Sequence, residues 1–278
     1  MKNKFIKSIK SNKKSNFKNN QNLEKLPSNQ VWIIGKHPVL MALKQARRKY
    51  YSLLVSKNNF NEIENFLKQN SLNNLLKILR VVDLQEITNA IGLNHVHQGF
   101  ALLASKLEII DQLKFLEQLN QSDLSAKLPN LLLLDQITDP QNVGAIIRSA
   151  IAFGFNKIIF TNHLSVIENS TVIKASAGNI EFAELIAVTN FNQLIEKLKK
   201  IGYWFFGLDS HANTSISKVN EFKNIALIIG SEGEGIRQLV KKNCDFLLKV
   251  HTTNQVESLN VSVACAIALY EISKINNV

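Results

Sequence analysis

Cysteine is nearly absent: Cys244 and Cys265 are the only two in 278 residues. Two thiols exclude a disulfide scaffold and a cysteine-built zinc site, and they suit a reducing compartment. Both read as small buried apolar side chains. No apolar run approaches the ~18 residues that a spanning helix needs, which excludes an integral membrane protein. The six histidines show no spacing that assembles a metal site. Residues 1–29 contain no arginine and no apolar stretch. They are therefore read as neither a mitochondrial transit peptide nor a secretory signal, and a cytoplasmic location is the default.

What is present describes a globular chain. An apolar fraction of 45% with 20% charged residues supports a real core. The length suits two domains, at roughly 150 residues each. The net charge of +11 is unevenly spread, because residues 1–29 hold eight lysines against the single acid Glu24. This Asn- and Ser-containing tail, 1–29, is expected to be disordered. It is either a basic arm that adds affinity for RNA by counterion release or a solvated tail without a role.

Residues 30–105 alternate strand-like and helix-like runs, which predicts a small α/β domain. Val31–Ile34, Tyr51–Val55, Lys77–Val82 and Gly99–Ala104 read as strands. Pro38–Arg47 and Phe60–Gln69 read as helices, and Asp83 is placed to cap another. Residues 106–129 show no clear strand and are expected to be a linker ending near Pro129. Over 130–278, six runs are too uniformly apolar for half-exposed strands: Leu131–Asp135, Lys157–Phe160, Glu184–Val188, Trp204–Leu208, Ile225–Ile229 and Phe246–Val250. They read as parallel strands covered on both faces, with ligands expected beyond their carboxyl ends.

Three strand-end segments concentrate polar residues. In the first, Asp139 before Pro140 reads as an N-cap with proline at the first helical position. Asn142, Gly144 and Arg148 follow. A helical glycine costs up to about 1 kcal/mol against alanine, so Gly144 needs a reason such as close approach of a ligand or a partner backbone. Taken alone, the segment also admits a plain reading, with Asn142 bonding locally and Arg148 pairing with an acid. In the second, strand 225–229 runs into Gly230-Ser231-Glu232-Gly233-Glu234-Gly235, exposing backbone to a ligand. It is no phosphate loop, since no Lys-Ser/Thr follows and two acids would repel phosphate; a plain tight turn is the other reading. The third joins the last strand to the last helix through His251, Asn254, Ser258, Leu259 and Asn260, with Ser258 a competent N-cap. From Leu259 to Ile272 the helix is apolar nearly all round, so a second subunit is expected to cover it.

These residues carry a resemblance. Asn142 with Arg148, the Gly230–Gly235 run and Ser258-Leu259-Asn260-Val261-Ser262 are similar, in order and at strand ends, to the three motifs of the SpoU (TrmH-type) RNA 2′-O-methyltransferases of the SPOUT superfamily. Ile34-Gly35-Lys36-His37 and His95-Val96-His97-Gln98-Gly99 resemble that family's L30e-like substrate-binding domain. The resemblance implies a mostly parallel, trefoil-knotted α/β domain, an exception to the rule against knots, behind an L30e-like α/β domain. It implies S-adenosylmethionine as cofactor, no metal, and a homodimer with its active site near the interface. Cofactor contacts, largely main-chain, fall on Gly230, Val250 and Leu259. The catalytic and RNA-positioning roles fall on Asn142, Arg148, Glu232, Ser258 and Asn260. Arginine stays charged in proteins, so Arg148 suits a phosphate or a developing alkoxide better than a general base.

Departures from the family pattern are Val250-His251-Thr252 and Asn254, where Ile-Pro-Met and a following Gly are usual, and Asn179, where Ala is common. His251 would sit near the cofactor or serve structure. The two-domain arrangement is similar to the branch that methylates a guanosine of 23S ribosomal RNA. The alternatives are a tRNA 2′-O-methyltransferase of the same family or a non-catalytic RNA-binding assembly factor.

Overall fold

The computed structural model of the protein describes residues 26–93, 95–121, 128–161, 167–219, 222–253, 255 and 258–275. Most of the 1–29 tail lies outside them. Its last residues form a turn, Gln30 N–H donating to the Pro27 carbonyl at 2.9 Å, so this end of the tail is ordered rather than disordered.

The first unit is a four-stranded sheet. Its strands are β1 (Gln30–Ile34), β2 (Tyr50–Ser56), β3 (Leu79–Val82) and β4 (Phe100–Ser105), in the order β1-β4-β2-β3. β4 runs antiparallel to β1 and β2, and β3 lies parallel to β2. Helices α1 (Lys36–Gln45) and α2 (Phe60–Gln69) cover one face through Val39, Leu43, Ile63 and Leu67. Helix α3 (Leu84–Ile91) covers the other through Ile87 and Ile91. Three local expectations are corrected. α1 stops at Gln45 rather than Arg47, because Ala46 turns left-handed (φ 51) and closes the helix on the Ala42 carbonyl. β3 begins at Leu79, after a 3-10 segment over Asn73–Ile78. The Asp83 side chain does not cap α3; its Oδ1 pairs with Lys57 Nζ at 2.9 Å.

The second unit is an eight-stranded sheet, parallel throughout. Its strands are β5 (Ile109–Asp111), β6 (Leu131–Asp135), β7 (Lys157–Thr161), β8 (Glu184–Val188), β9 (Trp204–Leu208), β10 (Thr214–Ser215), β11 (Ile225–Gly230) and β12 (Phe246–Lys249). The order is β10-β12-β9-β11-β6-β7-β8-β5. The 106–129 segment is therefore more than a linker: β5 forms the sheet edge beside β8, and helix α4 (Gln112–Gln121) folds back with Phe115 and Leu119 buried. The six apolar runs are all strands, and alternation sorts their side chains. Leu131, Leu133, Ile159, Phe205 and Ile228 pack under α4 and helices α7 (Phe191–Lys200) and α8 (Gln238–Lys242). Leu132, Leu134, Phe160, Phe206 and Leu227 pack under helices α5 (Pro140–Ala152), α6 (Ser170–Ala175) and α9 (Val261–Ile275). The apolar core on this second face continues without a break into the α1 and α2 face of the first unit.

Gly144 owes its place to packing inside the chain. A Cβ there would lie 2.4 Å from the Ala175 Cβ and 2.7 Å from the Val172 carbonyl oxygen, so α5 and α6 touch backbone to backbone. Neither a ligand nor a partner subunit is needed to explain it. Gly144→Val should therefore destabilise the protein by about 2 kcal/mol, because overpacking of this kind costs about 1–3 kcal/mol and outweighs the ~1 kcal/mol that a helical glycine forfeits. Urea titration followed by circular dichroism checks this, and a midpoint at or above that of the parent chain would refute the packing argument.

Candidate functional site

Four strand ends, those of β6, β9, β11 and β12, open on one side of the sheet, and their loops build the site. After β6, Asp139 caps α5 as its sequence predicts: its carboxylate accepts from Gln141 N and Asn142 N, both at 3.2 Å, with Pro140 at the first helical position. This cap aims Asn142 at the end of β11.

After β11 the chain makes a tight turn. Ser231 and Gly235 exchange backbone hydrogen bonds of 3.1 and 3.0 Å, with Gly233 (φ 88) and Gly235 (φ 70) in the left-handed region. A Cβ on Gly230 would lie 2.0 Å from the Gly235 carbonyl carbon, so the turn folds back onto its own strand. Places for a Cβ at Gly233 and Gly235 are open space. The turn is clamped at its base. Asp135, fully buried at the end of β6, accepts from Arg237 N at 2.9 Å and from its Nε at 2.7 Å, and pairs with Nη2 at 2.7 Å.

The third loop arrives from β12, which ends at Lys249 rather than Val250. The expected cap of α9 is corrected here. Asn260, not Ser258, caps the helix: its Oδ1 accepts from Ser262 N at 2.9 Å, Ser262 Oγ at 2.6 Å and Val263 N at 3.3 Å. The same side chain donates from Nδ2 to Asn142 Oδ1 at 3.1 Å and to Glu232 Oε1 at 3.2 Å. Asn142 Nδ2 donates to that Glu232 oxygen at 2.6 Å. An amide offers one accepting and one donating end, so the cap on α9 fixes how Asn260 and then Asn142 must point. The relay ends on the Glu232 carboxylate.

The structure thus joins Asn142, Glu232 and Asn260 in one cluster, of which Glu232 and Asn260 line a cleft of about 880 Å³ and Asn142 does not. Gly230, Val250, Ser258 and Leu259 line that cleft as well. Arg148 stands apart. It lies about 9 Å along α5 from Asn142, at about 1.5 Å per residue. It is exposed, and its side chain makes no hydrogen bond or ion pair among the described residues. His251 lines the cleft, while Asn254 lies outside the described residues.

Two ion pairs beside the site escaped the sequence reading. Arg237 with Asp135 is one. The other is in the loop after β9, where Asp209 pairs with Lys241 of α8 on the cleft wall and accepts from His211 N at 2.9 Å. Burial opposes the Asp209 charge, yet the Lys241 ammonium and the His211 N–H outweigh it and hold the carboxyl below its ordinary pKa. The signal was present: Asp209-Ser210-His211 follows a buried strand, as the other polar segments do. Among the described residues no group of three His, Cys, Asp or Glu side chains could hold a metal, and no helix is long and apolar enough to cross a membrane.

Comparison with known proteins agrees with this layout. The SpoU rRNA methylase family matches residues 129–270, and the RNA 2′-O ribose methyltransferase substrate-binding family matches residues 32–110. The chain is 35% identical over 244 residues to the 23S rRNA (guanosine-2′-O-)-methyltransferase RlmB of Coxiella burnetii, covering 87% of this chain and 94% of that one. An uncharacterized tRNA/rRNA methyltransferase of Borreliella burgdorferi is 37% identical over 77% of this chain and 92% of its own. In fold, the chain is similar to the SpoU methyltransferase AviRb of Streptomyces viridochromogenes, crystallised with AdoMet, at a TM-score of 0.70 and 18% identity over 90% and 91% of the two chains. With both families matched in order along the sequence, this chain belongs to the SpoU rRNA methylase family of RNA 2′-O-methyltransferases, its substrate-binding unit placed ahead of its methylase unit.

Proposed function

We propose that the chain methylates the ribose 2′-oxygen of a guanosine in 23S ribosomal RNA, in the cytoplasm, with S-adenosylmethionine as donor. The observation that carries this reading is the hydrogen-bonded cluster of Asn142, Glu232 and Asn260, whose last two members line a cleft built from strand-end backbone. The cleft fits the donor in size, since small-molecule sites run to about 300–1,000 Å³. It fits in chemistry too. Gly230, Val250 and Leu259 offer main-chain groups and apolar walls to a nucleoside, and the open positions at Gly233 and Gly235 leave backbone free to be approached. When bound, the sulfonium supplies an electrophilic methyl carbon.

The protein's share of the work is positioning and charge stabilisation. In our reading Glu232, Ser258 and Asn260 orient the ribose and its neighbours, and Asn142 holds Glu232 in place. Arg148 faces the sugar or its phosphate. Transfer would break the donor's sulfur–methyl bond as the O–C bond forms, leaving a neutral thioether, and the displaced hydroxyl proton would pass to solvent water; a permanently charged guanidinium would stabilise the negative charge developing on that oxygen. Support for Arg148 in this role is its unspent charge on the helix that carries Asn142.

The same reading includes a homodimer and the knotted threading of the family. α9 keeps apolar residues on its outer face, with Val263 47% and Tyr270 50% exposed, beside the α5 helix that carries Arg148. A second copy seated there would cover this face and bring Arg148 to an interface.

Four outcomes are expected. Purified protein with labelled donor should mark unmodified 23S rRNA; label confined to tRNA would move the activity to the other branch, and no label in either would end the reading. Arg148→Ala should abolish transfer yet leave donor affinity unchanged by calorimetry, since Arg148 does not line the cleft. Asn142→Ala and Asn260→Ala should each lower kcat/KM by roughly 10²–10³, the cost of removing a positioned donor, with the double variant scarcely worse than either single because both act through Glu232. Independent multiplication of the two losses would show that the relay is not the working unit. Sedimentation at micromolar concentration should find a dimer; a monomer throughout would remove the interface.

A further inference from the structure

The two units meet at a seam whose chemistry is not that of a linker. Beyond α1, the left-handed Ala46 turns Arg47 and Arg48 toward the methylase unit. Arg48 is fully buried there. Its Nε donates to both Glu181 carboxylate oxygens at 2.8 and 3.0 Å, and its Nη1 to Glu168 and to the Ser105 carbonyl at 2.8 Å. Glu168 in turn accepts from Leu107 N at 2.8 Å. Burial opposes the Arg48 charge, but Glu181 and Glu168 prevail and hold the guanidinium above its ordinary pKa. Arg47 adds hydrogen bonds of 2.7 Å to the carbonyls of Glu181 and Ala183.

Two further contacts lock the seam independently of these charges. Gly178 (φ 82) lies so close to α1 that a Cβ would stand 2.9 Å from Pro38 Cα and 2.9 Å from Met41 Cβ. Lys174 Nζ, at the end of α6, donates to the Val96 carbonyl at 2.9 Å. The neighbouring Ala175 is the residue that presses on Gly144, half a turn from Asn142. Units of one chain move against each other by default unless the interface is large and apolar. Here the apolar core is continuous across the seam, and any slip would leave a buried charge without its partner.

We infer that this seam acts as a ruler: the buried Arg48–Glu168–Glu181 cluster fixes the substrate-binding unit on the methylase unit, so that an RNA held by the first presents one nucleotide, at a fixed span, to the second. Arg48 is thus a positioning residue for site selection. The inference rests on the methyltransferase reading above and adds the source of its choice of nucleotide.

The test uses the full chain in two loosened forms. One, Arg47→Gln with Gly178→Ala, wedges the seam but leaves the buried ion cluster paired. The other, Arg48→Met with Glu168→Gln and Glu181→Gln, removes the three charges together so that none is stranded. Small-angle scattering reads the mutual motion of the units, calorimetry the donor affinity, and mapping of 2′-O-methyl positions the choice of nucleotide. Both forms should scatter as loosened pairs and bind donor within about twofold of the parent, since no substituted residue lines the cleft. Each should lose about a hundredfold in kcat/KM at the native nucleotide, the cost of a misplacement near 1 Å, with methylation spreading to neighbouring positions. A map and kcat/KM that survive a loosened seam overturn the ruler alone. So does a parent chain whose units already move freely, or variants whose scattering stays that of the parent. A parent chain that methylates no RNA ends the underlying reading and the ruler with it.

Discussion

Three loops that are far apart in sequence meet at one carboxylate oxygen. Glu232 Oε1 receives Asn142 from the first turn of α5, just after the β6 loop, and Asn260 from the loop after β12, while Glu232 itself belongs to the turn after β11. Each loop alone is a short polar excursion at a strand end and has no reason to hold one conformation. Together they satisfy each other's hydrogen-bonding groups, and polar networks of this kind specify a unique arrangement only when every member is partnered. The Asp139 cap, the Asp135–Arg237 clamp and the cap on α9 all serve this meeting point. The parallel sheet sets the loops side by side, and the hydrogen bonds decide how they face.

The sequence makes the frame legible and the braces obscure. Runs such as Leu131–Asp135 and Ile225–Ile229 announce themselves because both faces are covered, so no polar alternation interrupts them. Asp139-Pro140 is equally plain, since few residue pairs begin a helix so well. β5 is hidden for the opposite reason: it has three residues, of which only Ile110 is buried. Arg47 and Arg48 look like the solvated end of a helix, and only the left-handed turn at Ala46 sends them inward. Ser258 and Asn260 are both competent caps, two residues apart, and what separates them is which one Asn142 and Glu232 can reach. Gly144 shows that something comes close without showing what.

Burying Arg48 between two glutamates is not a way to gain stability. Removing one member of such a set costs about 3–5 kcal/mol, while replacing the whole set by apolar residues is often neutral or better. Apolar contacts hold the units together but have no preferred direction, so they set the register less sharply. A guanidinium that donates to two carboxylates through different nitrogens does not tolerate sliding. The cluster thus adds registration to a junction that the shared core already makes adhesive. Glu168 bears the cost most visibly: burial raises its pKa in spite of Arg48 beside it.

Asn260 performs two tasks with opposite ends of one amide, holding the first turn of α9 and completing the contact with Glu232. Fraying of that turn and loss of the Glu232 contact are consequently one event. Whatever loosens the start of the last helix therefore also loosens the wall of the cleft.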